Sequence, residues 1–248
     1  VRSRGLGDVY KRQIIFTAKV RHTDGHLDSP VTFVDATGTA TQVGTAIEGS
    51  RYYFLILGKI SADGELLWTR TIEPARTIGD DSLTDAVTTS SVVLAGGNIF
   101  IGGSFARELT FEKTDNTTAT ISSVSTADWT KSGTERDLYI AKFDTDGYFT
   151  AALTNTGNKM KTVNVLSIDA DNDVLYVNGV ITALSDGETT ATLGDKTLNA
   201  GTFNSCFTTA VNPADLSVNW ASSLTNAGVD GKGDYQNASI NVVGDNVW

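Results

Sequence analysis

The sequence predicts an all-β chain made of about three cycles of four short strands. Three observations carry that prediction. Short segments recur in a fixed order along the chain. Each is rich in Val, Ile, Phe, Tyr and Thr and is bounded by Gly, Asn and Asp, the pattern of strands between turns. No segment holds a 3.6-residue apolar period, so little helix is expected.

The elements follow in order. The first is an aromatic strand, "IIFTAKV" at 14, "NIFIGGSF" at 98, "VLYVNGV" at 174 and "NVW" at 246. Phe16, Phe100, Tyr176 and Trp248 share one position, with separations of 84, 76 and 72 residues. The second is "VTF" at 31, "LTF" at 109 and "ATL" at 191. The third is "FLILGKISADGELLW" at 54, "DLYIAKFDTDGYFTA" at 137 and "CFTTAVNPADLSVNW" at 206. The fourth precedes the next cycle, as "SSVVLAGG" at 90, "VNVLSIDA" at 163 and "SINVVGD" at 239.

Alternation assigns faces. In "LYIAKF", Leu138, Ile140 and Lys142 share one face and Tyr139, Ala141 and Phe143 the other. Leu55, Leu57 and Lys59 repeat the first set. Asp63-Gly64 and Asp146-Gly147 follow at the same offset, and Asp-Gly supplies the positive φ of tight hairpins. "AGGN" at 95 and "GDN" at 244 are further hairpin turns.

Four strands per cycle describe a β-propeller blade. The motifs "NIFIGGSF", "DLYIAKFDTDG" and "GELLW" resemble the propeller repeat family of bacterial surface proteins called seven-bladed repeats. That resemblance implies a propeller fragment of about three four-stranded blades, at 14–97, 98–173 and 174–248, truncated at both ends. The cycles here are longer than that family's. The excess is assigned to loops at 114, "TDNTTATISSVSTADWTKSGTER", and at 225, "TNAGVDGKGDYQN".

Residues 1–13 stand apart. "SRGLGDVYKRQ", Ser3 to Gln13, resembles an in-frame translation of a transposase adapter used to prepare sequencing libraries, and all eleven residues match. The segment is therefore read as non-native and left out of fold reasoning. Arg2, Arg4, Lys11 and Arg12 leave with Asp8, which moves the net charge from −10 to −13. This balance argues against nucleic acid and anionic membranes as partners. No apolar run reaches the length of a membrane span. The single Cys206 excludes an internal disulfide. Abundant Thr, Ser, Asn, Asp and Gly with little Lys suits the outside of a bacterial cell, extracellular or surface-bound, with the periplasm as the other compartment.

Candidate sites are few. Trp129, beside Asp128, sits off the repeat pattern in the loop from 114, where an aromatic can stack on a sugar or anchor a partner. Folding back onto its own blade is the plainer reading. Asp169, Asp171 and Asp173 alternate as a calcium loop would begin, but the helix-loop-helix pattern needs Gly and Glu where Val174 and Val180 stand. A turn between strands is the preferred reading and a loose calcium site the other; no metal or further cofactor is expected. His22 and His26 have ligand spacing, yet Asp24-Gly25 between them favours a turn. Trp68 and Trp220 share a repeat position and are read as packing between adjacent blades. Cys206 reads as a small buried hydrophobe.

The functional expectation is a non-catalytic secreted or cell-surface module that binds a glycan or a protein through its loops. The alternatives are a polysaccharide hydrolase or lyase with an axial site built largely from missing blades, and a structural spacer in a larger surface protein. Fold class does not choose among them.

Overall fold

The computed structural model describes residues 13–21, 31–44, 53–74, 87–90, 92–123, 136–156, 162–171, 174–182, 190–199, 205–224, 242–243 and 246–247. They form strands joined by turns. In chain order the strands are β1 (Ile14–Arg21), β2 (Val31–Val34), β3 (Ala40–Gly44), β4 (Tyr53–Ile60), β5 (Leu66–Pro74) and β6 (Val92–Ala95). Next come β7 (Asn98–Phe105), β8 (Glu108–Glu112), β9 (Thr118–Ser122), β10 (Asp137–Phe143), β11 (Phe149–Thr156) and β12 (Thr162–Asp171). The last are β13 (Val174–Thr182), β14 (Thr190–Leu193), β15 (Lys196–Asn199), β16 (Ser205–Val211), β17 (Val218–Leu224), β18 (Val242–Val243) and β19 (Asn246–Val247).

The all-β expectation holds, and the propeller does not. The strands assemble into unequal sheets: five strands in the order β1-β4-β5-β8-β9, six in the order β15-β14-β11-β10-β7-β6, and four in the order β12-β13-β16-β17. β2–β3 and β18–β19 form two-stranded sheets of their own. The described strands form neither three equal four-stranded blades nor a radial arrangement, so the likeness to seven-bladed repeats is not carried by the structure.

The physical reason lies in pairing. The "LTF" and "ATL" segments, assigned to the cycle in which they occur, open short hairpins that leave it. β8–β9 lies between β7 and β10 in sequence but joins the edge of β5, with Glu73 opposite Thr110 and Pro74 opposite Leu109. β14–β15 lies between β13 and β16 but joins the edge of β11, with Asn155 opposite Leu193 and Thr156 opposite Thr192. Local strand signals place a strand; they do not name its neighbour across a long connection. The loop assigned from residue 114 also contains a strand. β9 pairs with β8 from Glu108–Ser122 to Glu112–Thr118.

The six-stranded sheet is buried on both faces at its centre, as the alternation in "DLYIAKF" requires. Leu138 and Ile140 join Phe100, Leu175, Val177, Phe207 and Val218 in one core against the four-stranded sheet. Tyr139, Ala141 and Phe143 join Leu55, Leu57, Ile72, Ile101 and Phe111 in a second core against the five-stranded sheet. Each fully buried Leu or Phe contributes about 1.5–3 kcal/mol. Phe111 stacks on Phe149 with ring centroids 4.5 Å apart, which seats the β8–β9 hairpin on the six-stranded sheet.

The turns follow the expected chemistry. Gly64 and Gly147 have φ of 86° and 81°, the left-handed region that favours glycine. Gly147 is needed for space as well, since a Cβ there would come within 2.5 Å of the Trp68 ring. Trp68 thus packs onto the β10–β11 turn of the neighbouring sheet. A buried polar set closes the start of β10. Asn155 donates from Nδ2 to Asp137 Oδ1 at 2.7 Å and accepts the Leu138 N–H at 2.7 Å, while Ser123 donates to the other Asp137 oxygen.

Candidate functional site

Three hairpins, β4–β5, β10–β11 and β16–β17, carry the same irregularity. Lys59 faces Trp68 and Ile60 faces Leu66, so Leu67 is the extra residue. In the same way Thr150 is extra opposite Lys142 and Phe143, and Asn219 opposite Ala210 and Val211. A bulge of this kind re-aims its extra side chain out of the ladder. The three re-aimed residues differ in chemistry, and Asn219 brings a carboxamide to the surface.

Asn219 lines a cleft of about 550 Å³ with Gly96, Asn98, Lys142, Asn212, Pro213 and Ala214. Its walls come from the β6–β7 turn, from β10, and from the β16–β17 turn. Each wall has a local cause. Gly96 and Gly97 take positive φ at the β6–β7 turn, and Asn98 Nδ2 donates to the Gly96 carbonyl at 2.9 Å. Asn212 Oδ1 accepts the Ala214 N–H at 2.9 Å, which shapes the β16–β17 turn. Lys142 Nζ donates to the Ala214 carbonyl at 2.8 Å and so bridges the two sheets. Its ammonium also lies 6.0 Å from the Phe100 ring, within range of a cation–π attraction. Lys59, at the matching position, donates to the Thr145 carbonyl of the next turn at 3.3 Å.

The lining holds three carboxamides, one ammonium and peptide groups, with no carboxylate, thiol or imidazole among its described residues. A carboxamide offers both donors and an acceptor, which suits a hydroxyl that needs both. The volume falls in the range of small-ligand sites, roughly 300–1,000 Å³. The Lys142 ammonium is tethered to a carbonyl, which positions its charge.

The residues singled out from sequence fall elsewhere. Trp129 and Asp128 lie outside the described residues, as do His22, His26 and residues 1–12 of the adapter-like segment. Asp169 sits on β12 opposite Tyr176, and its carboxylate accepts the Ala170 N–H at 2.8 Å. Asp171 ends the same strand, and Asp173 lies outside the described residues. Asp169 and Asp171 thus belong to β12, and β13 follows from Val174. Among the described residues no three His, Cys, Asp or Glu side chains gather to hold a metal ion. Cys206 is half-buried on β16, and burial pushes its thiol pKa up. Burial likewise pushes the Tyr139 phenol far above its usual range, and its hydroxyl donates to the Thr88 carbonyl at 2.8 Å. Trp220, unlike Trp68, is 44% exposed. No described helix is long and apolar enough to cross a membrane.

Sequence reasoning missed the cleft because its residues come from separate elements. One signal was present: Lys142 interrupts an otherwise apolar face, and a charge in that position needs a partner beyond its own strand.

No known family model, curated protein or solved structure matches the chain.

Proposed function

We propose that the chain is a non-catalytic recognition module, secreted or displayed at a bacterial surface, that binds a glycan in the Lys142 cleft. The observation that carries this reading is the lining itself. Asn98, Asn212 and Asn219 line the cleft with a single tethered ammonium, and the Asp215 carboxylate next to the Ala214 tether lies within reach of its charge. Sugar hydroxyls pair with carboxamides in both directions, since a carboxamide offers donors and an acceptor. General acid–base catalysis would need a positioned group that can gain and lose a proton, and the cleft lining supplies none in that role. The Thr-, Ser- and Asn-rich composition supports the extracellular assignment.

The test is a screen of immobilised oligosaccharides followed by calorimetric titration of the best ligand. Asn98→Ala with Asn219→Ala removes two carboxamides at the cleft surface and weakens binding by about tenfold or more, ~1.4 kcal/mol. Absence of any saccharide ligand, or unchanged affinity in the double variant, would sink the proposal.

A further inference from the structure

Two of the three short hairpins do two jobs, and the third does only the first. β8–β9 packs Leu109 and Phe111 into the core beside β10 and pairs with the edge of β5. β14–β15 packs Ala191, Leu193 and Leu198 into the core that includes β16 and β17, and pairs with the edge of β11. β2–β3 packs Val31 and Phe33 against Phe54 and Ile56 of β4, and Phe33 stacks on Phe16 at 5.5 Å. It pairs with no larger sheet. "VTF", "LTF" and "ATL" occupy the same place in each hairpin.

The acceptor edges show the complementary pattern. β5 and β11 each receive a hairpin strand. β17 is the matching strand of the four-stranded sheet, and no described strand pairs with its outer edge. Counting from the bulges, which align Trp68, Ala151 and Trp220, Leu224 corresponds to Ile72 and Asn155. Ile72 and Asn155 are each 1% exposed beside their docked hairpins, whereas Leu224 is 62% exposed. Among the described residues, then, one hairpin stands without an edge and one edge without a hairpin.

We infer that the β2–β3 hairpin of one copy adds to the β17 edge of a second copy, so that the chain self-associates head to tail. The occupant is identified by continuity with the two hairpin-on-edge contacts inside the chain. In both, the strand register is the same, and carrying it over sets Phe33 opposite Leu224. Exposed strand edges are templates for this kind of pairing. Because donor and acceptor are different surfaces, the contact closes into a ring, the smallest being a reciprocal pair, or runs on as a filament. The inference does not depend on the ligand of the Lys142 cleft.

Sedimentation velocity on the full chain over a wide concentration range tests it. The weight-average mass is expected to rise with concentration, and Leu224→Lys, which alters an exposed side chain, to weaken association by about tenfold or more. A second variant checks the register. Phe33→Cys with Leu224→Cys, in a Cys206→Ser background, is expected to form a disulfide between chains under mild oxidation. Directly opposed Cβ atoms about 4.5–5.5 Å apart lie near disulfide reach. A wild-type chain that stays monomeric overturns the inference, and so does Leu224→Lys associating like wild type. A disulfide that forms within one chain, or does not form despite association, overturns the second copy as the occupant or the edge pairing itself.

Discussion

The β8–β9 and β2–β3 hairpins begin with nearly the same tripeptide and turn on the same device. In each, an aspartate at the tip accepts hydrogen bonds from a threonine two residues on, Asp115 from Thr117 and Asp35 from Thr37. Yet Leu109 and Phe111 are fully buried, while Val31 and Phe33 are only partly covered. The difference is the edge beside them. β8 has β5 to pair with, and pairing brings the hairpin's apolar face down between two sheets. A hairpin's own sequence sets its turn and its alternation, but the neighbouring edge sets how much its apolar side chains contribute.

The sharpest way to break that comparison is to truncate both hairpins. Leu109→Ala removes a fully buried side chain and is expected to cost about 2–5 kcal/mol. Val31→Ala, at the matching position, is expected to cost about 1 kcal/mol or less. Urea unfolding of the two variants reads the difference. Equal losses would mean that the missing edge does not matter to packing.

A smaller effect is expected at the edges themselves. Asn155→Ala leaves the Leu138 N–H and an Asp137 oxygen without their partner in a buried site. Unsatisfied buried groups cost about 1–3 kcal/mol. Leu224→Ala, at the uncovered edge, is expected to stay within about 0.5 kcal/mol of wild type. The same unfolding measurement, made where the chain is monomeric, compares them, and a large loss at Leu224 would show that its edge is already covered.

The strand positions were legible because they depend on local pattern. The alternation in "DLYIAKF" separated Leu138 and Ile140 from Tyr139 and Phe143, and those sets face two different cores. Asp-Gly offsets located the turns at Gly64 and Gly147. Sheet membership was not legible. Nothing in "LTF" or "ATL" reveals that each segment pairs with the sheet before its own, since edge pairing is decided by backbone groups that every residue carries. β9 was read as loop although "TATIS" alternates, because Ala119 and Ile121 are its only apolar residues and it lies among Asn, Thr and Ser. The cleft was illegible for a related reason. Asn98 and Asn219 are turn and bulge residues whose meeting depends on how two sheets pack.

The smallest predicted effect tests whether the tips are as independent of docking as they look. Hydrogen bonds from Thr37, with backbone N–H groups of Thr39 and of Leu66 on β5, hold the half-buried Asp35 carboxyl below its ordinary pKa, and those from Thr117 do the same for the exposed Asp115. A group whose pKa is lower folded than unfolded stabilises the fold above its unfolded value, about 3.9 for Asp. That contribution is lost as the pH falls through the lowered value. Both hairpins should therefore show a slight fall in thermal midpoint below about pH 4, and Asp35→Asn and Asp115→Asn should each flatten it by a similar small amount. Thermal melts from pH 6 to pH 2, in steps fine enough to resolve a degree, would read this. A much larger effect at Asp115 than at Asp35 would mean that docking onto β5 strengthens the turn, and the division between a local tip and an edge-dependent face would no longer hold.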